Sequence, residues 1–337
     1  MILDRELAAV NAALHPLWPG LDGAHIFMTG GTGFIGRWML GALARAPVNT
    51  QVTILTRDPD AFAARAPALA ERFRLLRGDV LDLPPSRAAY THVIHAATDA
   101  SAALNANDPR RMFDTIVQGT RNVLDLATAC GARRMLFMSS GAVYGVQPGE
   151  VEHVPESWRG GPDQLDPRSA YGEGKRAAEL LCAIYGRQFG LDIVTARIFA
   201  LLGPLLSLDT HFAAGNFIGD AMAGRTIRVA GAGTAVRSYL YAADLTIWLW
   251  TLLLAGAPGM VCNVGSEEAV SIAELARRTA TILGAPGVEI CGAPDAGWNA
   301  GRYVPSTARI RETLGVAPTI GLDEAIRRTA LWNGWKP

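Results

Sequence analysis

Met28-Thr29-Gly30-Gly31-Thr32-Gly33-Phe34-Ile35-Gly36 is the stretch that decides the fold of this 337-residue chain. It follows the apolar His25-Ile26-Phe27 and runs into Arg37-Trp38-Met39-Leu40-Gly41-Ala42-Leu43, which has helical periodicity. A strand, a glycine turn and a helix start therefore stand in immediate succession. A helix N-terminus offers unpaired N–H groups and the positive end of a dipole, and both suit a phosphate. Gly30 permits the tight turn, Gly33 lets backbone approach a pyrophosphate, and Gly36 lets the helix pack close to the strand. The spacing is G-x-x-G-x-x-G, not G-x-G-x-x-G, and by itself such a run is also compatible with a plain β–α turn.

Working outward, strand-like apolar runs alternate with helical patterns through the first two hundred or so residues. Candidate strands are His25–Met28, Gln51–Leu55, Phe73–Leu76, His92–His95, Arg134–Met138 and Asp192–Arg197. Candidate helices include Phe34–Ala46, Pro109–Cys130 and Ser169–Phe189. That alternation predicts a parallel sheet wound by right-handed crossovers. Residues 1–23 read as an extension, one helix ending at Pro16 to Gly20, with no role legible. After Gly203-Pro204 the alternation weakens. Ser271 to Leu283 then reads as an amphipathic helix, with Ser271 as N-cap and Glu274 completing a capping box.

Half of the residues are hydrophobic and 18% are charged, which supports a substantial core and argues against disorder. The formal net charge is zero and there is no basic block, so neither nucleic acid nor an anionic membrane is an expected partner. Cys130, Cys182, Cys262 and Cys291 are scattered without metal-ligand spacing, as expected of free thiols in a reducing cytosol. The longest apolar stretch, Leu245 to Ala257, is too short to span a bilayer and reads as a buried helix. The beginning Met1-Ile2-Leu3-Asp4-Arg5-Glu6 carries charges where a secretion signal needs an apolar centre. A cytoplasmic protein is expected.

Two further motifs follow the glycine run, Ser139-Ser140-Gly141-Ala142-Val143-Tyr144-Gly145 and Tyr171-Gly172-Glu173-Gly174-Lys175. With Gly78-Asp79-Val80, His95-Ala96-Ala97, Gly119-Thr120-Arg121-Asn122-Val123-Leu124, Arg237-Ser238-Tyr239-Leu240-Tyr241-Ala242-Ala243-Asp244 and Asn263-Val264-Gly265, they make the chain resemble a known family. That family is the extended short-chain dehydrogenase/reductases: nucleotide-sugar epimerases, dehydratases and reductases. The resemblance runs from about Ala24 to Trp335. It implies an α/β, Rossmann-like doubly wound sheet with a smaller α/β substrate lobe on the C-terminal side. Residues 24–202 and 238–265 would form the dinucleotide-binding domain, and 203–237 with 266–337 the lobe. It also implies a homodimer built on the helices Pro109–Cys130 and Ser169–Phe189, with Ala177, Leu181 and Ile184 as the apolar stripe.

Tyr171 and Lys175 share one face of a helix. A nearby ammonium is expected to favour tyrosinate and lower the phenol pKa. Tyr171 would exchange a proton with a sugar oxygen while a nicotinamide exchanges the hydride. Ser140 stands where the family places its catalytic Ser or Thr, holding the reacting oxygen. Family dehydratases carry an Asp-Glu pair next, where this chain has Gly141 and Ala142, so elimination is disfavoured. Two other departures put Ala200 and Ile116 where the family usually has Asn.

The end of the second strand selects the dinucleotide, since a carboxylate there binds the ribose of NAD and repels a 2′-phosphate. That place falls on Thr56, followed by Arg57, a pair suited to a phosphate. NADP is favoured and NAD remains possible, with Asp58 left either to cap the next turn or to recover a ribose contact. The resemblance implies cofactor contacts at Gly30, Gly33, Phe34, Ile35, Gly36, Asp79, Val80, Ala96, Ala97, Thr98, Tyr171 and Lys175, besides Thr56 and Arg57. It implies a nucleotide-diphosphate sugar held by Ser140 and Arg237, with Asn216, His211 and Arg302 as further candidates, and no metal. His95 reads as packing within the sheet, Cys182 and Cys130 as small helix residues of the core, and Trp248 with Trp250 as core. The leading expectation is an NADP-linked reductase of a nucleotide-activated 4-keto-6-deoxy sugar. The alternatives are a 4-epimerase with tightly held NAD and, more remotely, a non-catalytic dinucleotide sensor.

Overall fold

The computed structural model describes residues 2–85, 88–98, 102–208, 213–292 and 301–337. Strands β1 (His25–Thr29), β2 (Gln51–Thr56), β3 (Arg74–Arg77), β4 (His92–His95), β5 (Arg134–Ser140) and β6 (Asp192–Ile198) belong to one sheet. Beyond them the chain adds short strands β7 (Ala200–Leu202), β8 (Ile227–Val229), β9 (Val236–Arg237) and β10 (Tyr239–Tyr241), then β11 (Val261–Val264) of the main sheet. The last strands are β12 (Val270–Ser271), β13 (Val288–Ile290) and β14 (Arg302–Tyr303). The main sheet has seven strands in the order β3-β2-β1-β4-β5-β6-β11, every neighbouring pair parallel. This is the Rossmann arrangement, with the order reversing between β1 and β4.

Helices cover both faces, which is why the strands read as continuous apolar runs and not as alternating ones. In β1, Ile26 and Met28 point into one core and Phe27 into the other. The first core contains side chains of α1 (Ile2–Leu14), α2 (Phe34–Leu43), α3 (Pro59–Arg65) and, later in the chain, α9 (Ala242–Ala255). Between α3 and α9 come α4 (Pro67–Arg72), α5 (Ala102–Asn107), α6 (Pro109–Ala129), α7 (Ala170–Phe189) and α8 (Ala213–Met222). The second core lies under α6 and α7, the two helices that follow β4 and β5. Trp248 and Trp250 are fully buried in α9, and Cys182 is buried in α7. No helix among the described residues is long and apolar enough to cross a membrane.

The chain closes with α10 (Ile272–Leu283), α11 (Ala308–Leu314) and α12 (Leu322–Trp332). Ser271 caps α10, its side chain accepting the Glu274 N–H at 3.1 Å, while the Glu274 carboxylate takes up Arg278. The extension forms α1 and a 3-10 turn at Trp18–Leu21, and it packs on α2, α9 and α12. Leu7, Val10, Leu14, Trp18 and Leu21 are buried there. Leu181, expected in a dimer stripe, lies in the second core of the chain itself, because its direction on α7 matches that of Ala178 and Tyr185. Leu180 (62% exposed) and Ile184 (37%) instead face outward with Phe113 of α6.

Candidate active site

The glycine loop joins β1 to α2. Gly30 has φ +70°, and a Cβ there would sit 2.4 Å from the Ala96 carbonyl carbon, so only glycine fits the crossing of β1's exit by β4's. Gly36 is equally committed, since a Cβ would lie 2.4 Å from Gly30 O. Gly33 differs. It is the N-cap of α2, and the nearest atom to its would-be Cβ is Gly30 O at 3.4 Å, so its outer side is open. The N–H groups of Phe34, Ile35 and Gly36 belong to the first turn, where no intrahelical partner exists, and the cap supplies no side chain. That cradle fits the pyrophosphate of a dinucleotide.

At the end of β2, Thr56 is buried and Arg57 exposed. Asp58 is the N-cap of α3, its Oδ1 accepting the Ala61 N–H at 3.0 Å, as one of the two expected roles requires. The last residue of the strand, Thr56, thus offers a hydroxyl, followed by the exposed guanidinium of Arg57 and then by Asp58. Asp79 and Val80 follow β3 on the neighbouring edge, with Asn122 donating to Val80 O at 2.8 Å. Ala96, Ala97 and Thr98 leave β4 beside the loop, the Ala97 N–H reaching Thr29 Oγ1 at 3.1 Å. His95 is wedged between Thr29 Oγ1 (2.7 Å) and Thr120 Oγ1 (3.1 Å). Burial, with Lys175 nearby, pushes its pKa down to about 3, which keeps it neutral.

Ser140 ends β5, and α7 carries Tyr171 and Lys175 past it. Lys175 is buried; its Nζ donates to Thr98 Oγ1 (2.8 Å) and Met138 O (2.7 Å) and lies 5.1 Å from the Phe137 ring centroid. Burial pushes its pKa down to about 7, partly opposed by Cys182 and Glu179. The expected lowering of the Tyr171 phenol is not what the structure gives. Burial raises it, and a hydrogen bond from Ser140 only tempers the rise. With a pKa near 7, Lys175 is a weaker positive field than a fully charged ammonium.

Phe199 limits which side chain can stand directly after Ser140. A Cβ on Gly141 would lie 2.6–2.8 Å from its ring, so this position cannot carry a carboxylate with the ring in place. Ile116, one of the departures from the family pattern, packs α6 against Gly174 of α7. Ala200 pairs with Tyr239 of β10.

The substrate candidates are less gathered. Arg237 Nη1 donates to Val236 O (2.8 Å) and Gly301 O (3.1 Å), with its guanidinium carbon 6.0 Å from the Tyr303 ring centroid. Arg302 turns toward Glu152 O, its Nε donating at 2.6 Å, so it is committed to the 147–154 loop. Asn216 is exposed on α8, and His211 lies outside the described residues. Sequence reasoning missed Tyr303. Its hydroxyl lies 3.3 Å from Ser140 Oγ and donates to Ile198 O at 3.3 Å, and its ring sits 4.5 Å from that of Phe199. A lone tyrosine in a two-residue strand gives no periodicity by which to find it.

This fold and the serine–tyrosine–lysine grouping define an enzyme of the short-chain dehydrogenase/reductase type. A model of the NAD dependent epimerase/dehydratase family matches residues 26–265, and the chain belongs to that family. It is 31% identical to UDP-glucuronic acid decarboxylase 5 of Arabidopsis thaliana, over 89% of this chain and 86% of that protein. It is 28% identical to dTDP-glucose 4,6-dehydratase of Streptomyces griseus, over 93% and 96%. Among solved structures, UDP-glucose 4-epimerase of Thermus thermophilus in complex with NAD superposes with a TM-score of 0.76 at 26% identity, over 92% and 99%.

Proposed function

We propose that this enzyme is an NADP-linked reductase of a nucleotide-activated 4-keto-6-deoxy sugar. The observation that carries the reading is the end of β2, where Thr56 and Arg57 stand in place of a carboxylate and Asp58, two residues on, caps α3. The dinucleotide would lie on the first turn of α2, with Thr56 and Arg57 at its adenosine ribose, and its nicotinamide supplies the hydride. Tyr171 donates the proton to the sugar oxygen, and Ser140 hydrogen-bonds that oxygen. Lys175, anchored by Thr98 and Met138 O, stabilises the tyrosinate as it forms. Arg237 would meet the substrate diphosphate from the lobe formed by residues 203–237 and 266–337. Loss of NADPH absorbance on mixing with such keto sugars is the test, and no oxidation across several nucleotide forms rejects the reading.

A second reading, a 4-epimerase, is favoured by the likeness to solved epimerases and by the same lack of a carboxylate at 141. It predicts tightly held NAD recycled within each turnover, which mass spectrometry of the purified protein would find.

Arg57→Ala should weaken NADP about ten- to a hundredfold and NAD hardly at all, since a charge-assisted hydrogen bond contributes roughly 1.5–3 kcal/mol. Thr56→Asp should go further by adding repulsion against the phosphate. Calorimetric titration of both nucleotides measures this, and a wild type that prefers NAD overturns it and tilts the function toward epimerase.

We also propose a homodimer through α6 and α7, supported by the outward Phe113, Leu180 and Ile184. An isologous contact would bury this patch twice. A monomeric mass at micromolar concentration would exclude it.

A further inference from the structure

We infer that Tyr303 is a positioning residue for Ser140: its phenol oxygen fixes the serine hydroxyl between two phenols at the reacting centre. The inference rests on the Ser140–Tyr171–Lys175 reading above. Ser140 Oγ accepts the Ala142 N–H at 3.2 Å and faces Tyr303 Oη at 3.3 Å, and the serine hydroxyl also bears on the Tyr171 phenol, lowering its pKa against the effect of burial. The Tyr303 O–H donates to Ile198 O, which leaves its oxygen free to accept. The Ser140 proton therefore has two phenol oxygens to choose between. A serine hydroxyl rotates freely unless an acceptor holds it. Before substrate arrives Tyr303 supplies that hold, from a strand 163 residues away in sequence, and the sugar oxygen then takes over the Ser140 proton at a hydroxyl already in place.

The tyrosine is itself held. Its ring lies tilted at 36° on Phe199, whose ring closes the space over Gly141. The Arg237 guanidinium carbon lies 6.0 Å from the ring centroid, and Arg237 is also Tyr303's register partner between β9 and β14. Burial raises the Tyr303 phenol, so it keeps its proton on Ile198 at neutral pH. A group on Arg237 is thus one ring away from the hydroxyl that must meet the substrate oxygen.

Tyr303→Phe keeps the ring and removes only the oxygen. Loss of one hydrogen bond should lower kcat about two- to tenfold with nucleotide affinity unchanged. Because the effect passes through Ser140, the same substitution should change little in a Ser140→Ala background. A full effect there, or a Phe variant equal to wild type, overturns the inference. Absorbance at the tyrosinate band needs no substrate. There, Tyr303→Phe should release Ser140 to Tyr171 and lower the pH at which Tyr171 ionises, identified by its loss in Tyr171→Phe. No such shift also overturns the inference. A wild type inactive on every nucleotide sugar would defeat the functional reading alone, because this titration still reads the contact.

Discussion

Tyr171→Phe should lower turnover by about a hundred- to ten-thousandfold, the range a positioned general acid contributes, while nucleotide affinity stays close to wild type. The glycine cradle, Thr56 and Arg57 are all untouched by the change, so binding and chemistry should separate. The raised phenol sharpens the argument. In the reductive direction Tyr171 must be protonated before the substrate arrives, and burial holds it so. The proton leaves only as the sugar oxygen gains charge, and the residue that then stabilises tyrosinate is Lys175. A lysine whose pKa is pushed from its ordinary 10.5 down to about 7 is charged below that pH and neutral above it. kcat/KM should therefore fall as pH rises through about 7. In Lys175→Arg, whose guanidinium stays charged, any remaining activity should lack that fall. Single-turnover rates and a fluorescence titration of nucleotide measure the two quantities. A Tyr171→Phe enzyme keeping more than about a tenth of the wild-type rate would remove Tyr171 from the chemistry.

The sheet was legible because its signals are local. Strands buried on both faces read as unbroken apolar runs, and β1, β2, β4, β5 and β6 begin at the residues expected of them. The edge strand β3 is half-exposed, and it begins one residue later than expected, at Arg74. Helix α2 stops at Leu43 and not at Ala46, because Arg45 and Ala46 tighten into turns on Ala42 O and Leu43 O. What failed needed burial or distant pairing. Tyr-x-x-x-Lys spacing shows that two side chains share a face, but not that the lysine is enclosed by Thr98, Met138 and Phe137. The sign of the Tyr171 shift was therefore missed. Nor does composition say which arginines will spend donors on backbone, as Arg302 does on Glu152 O and Arg237 on Val236 O and Gly301 O. Tyr303 reaches Ser140 only because β14 pairs with β9, a contact between strands of two residues each. The amphipathic stripe of the extension was present in Leu7, Val10 and Leu14, yet its docking partners lie in α2, α9 and α12 and could not be read from it.

That extension carries the second large expected effect. Glu6 of α1 is 4% exposed, and its Oε1 accepts from Arg328 Nη1 of α12 at 2.8 Å. Arg328 also donates from Nε to Glu324 at 2.7 Å and lies over the Tyr241 ring. The pair therefore fastens the first helix of the chain to the last one. Its two halves are not equivalent. Removing Glu6 leaves Arg328 with Glu324, whereas removing Arg328 leaves Glu6 buried without its counter-ion. Breaking a buried pair from one side costs about 3–5 kcal/mol, most of it the stranded charge. Arg328 is one-fifth exposed, so the lower end is expected: Arg328→Met should destabilise by about 3 kcal/mol. Glu6→Gln should cost less, and Glu6→Leu combined with Arg328→Met should recover much of the loss, because two apolar side chains strand no charge. Urea unfolding of the four proteins, compared at constant m, gives the differences directly. If Arg328→Met fell within about 1 kcal/mol of wild type, the Glu6–Arg328 contact would be no more than an ordinary surface pair, and α1 would owe its place to Leu7, Val10, Leu14 and Trp18 alone.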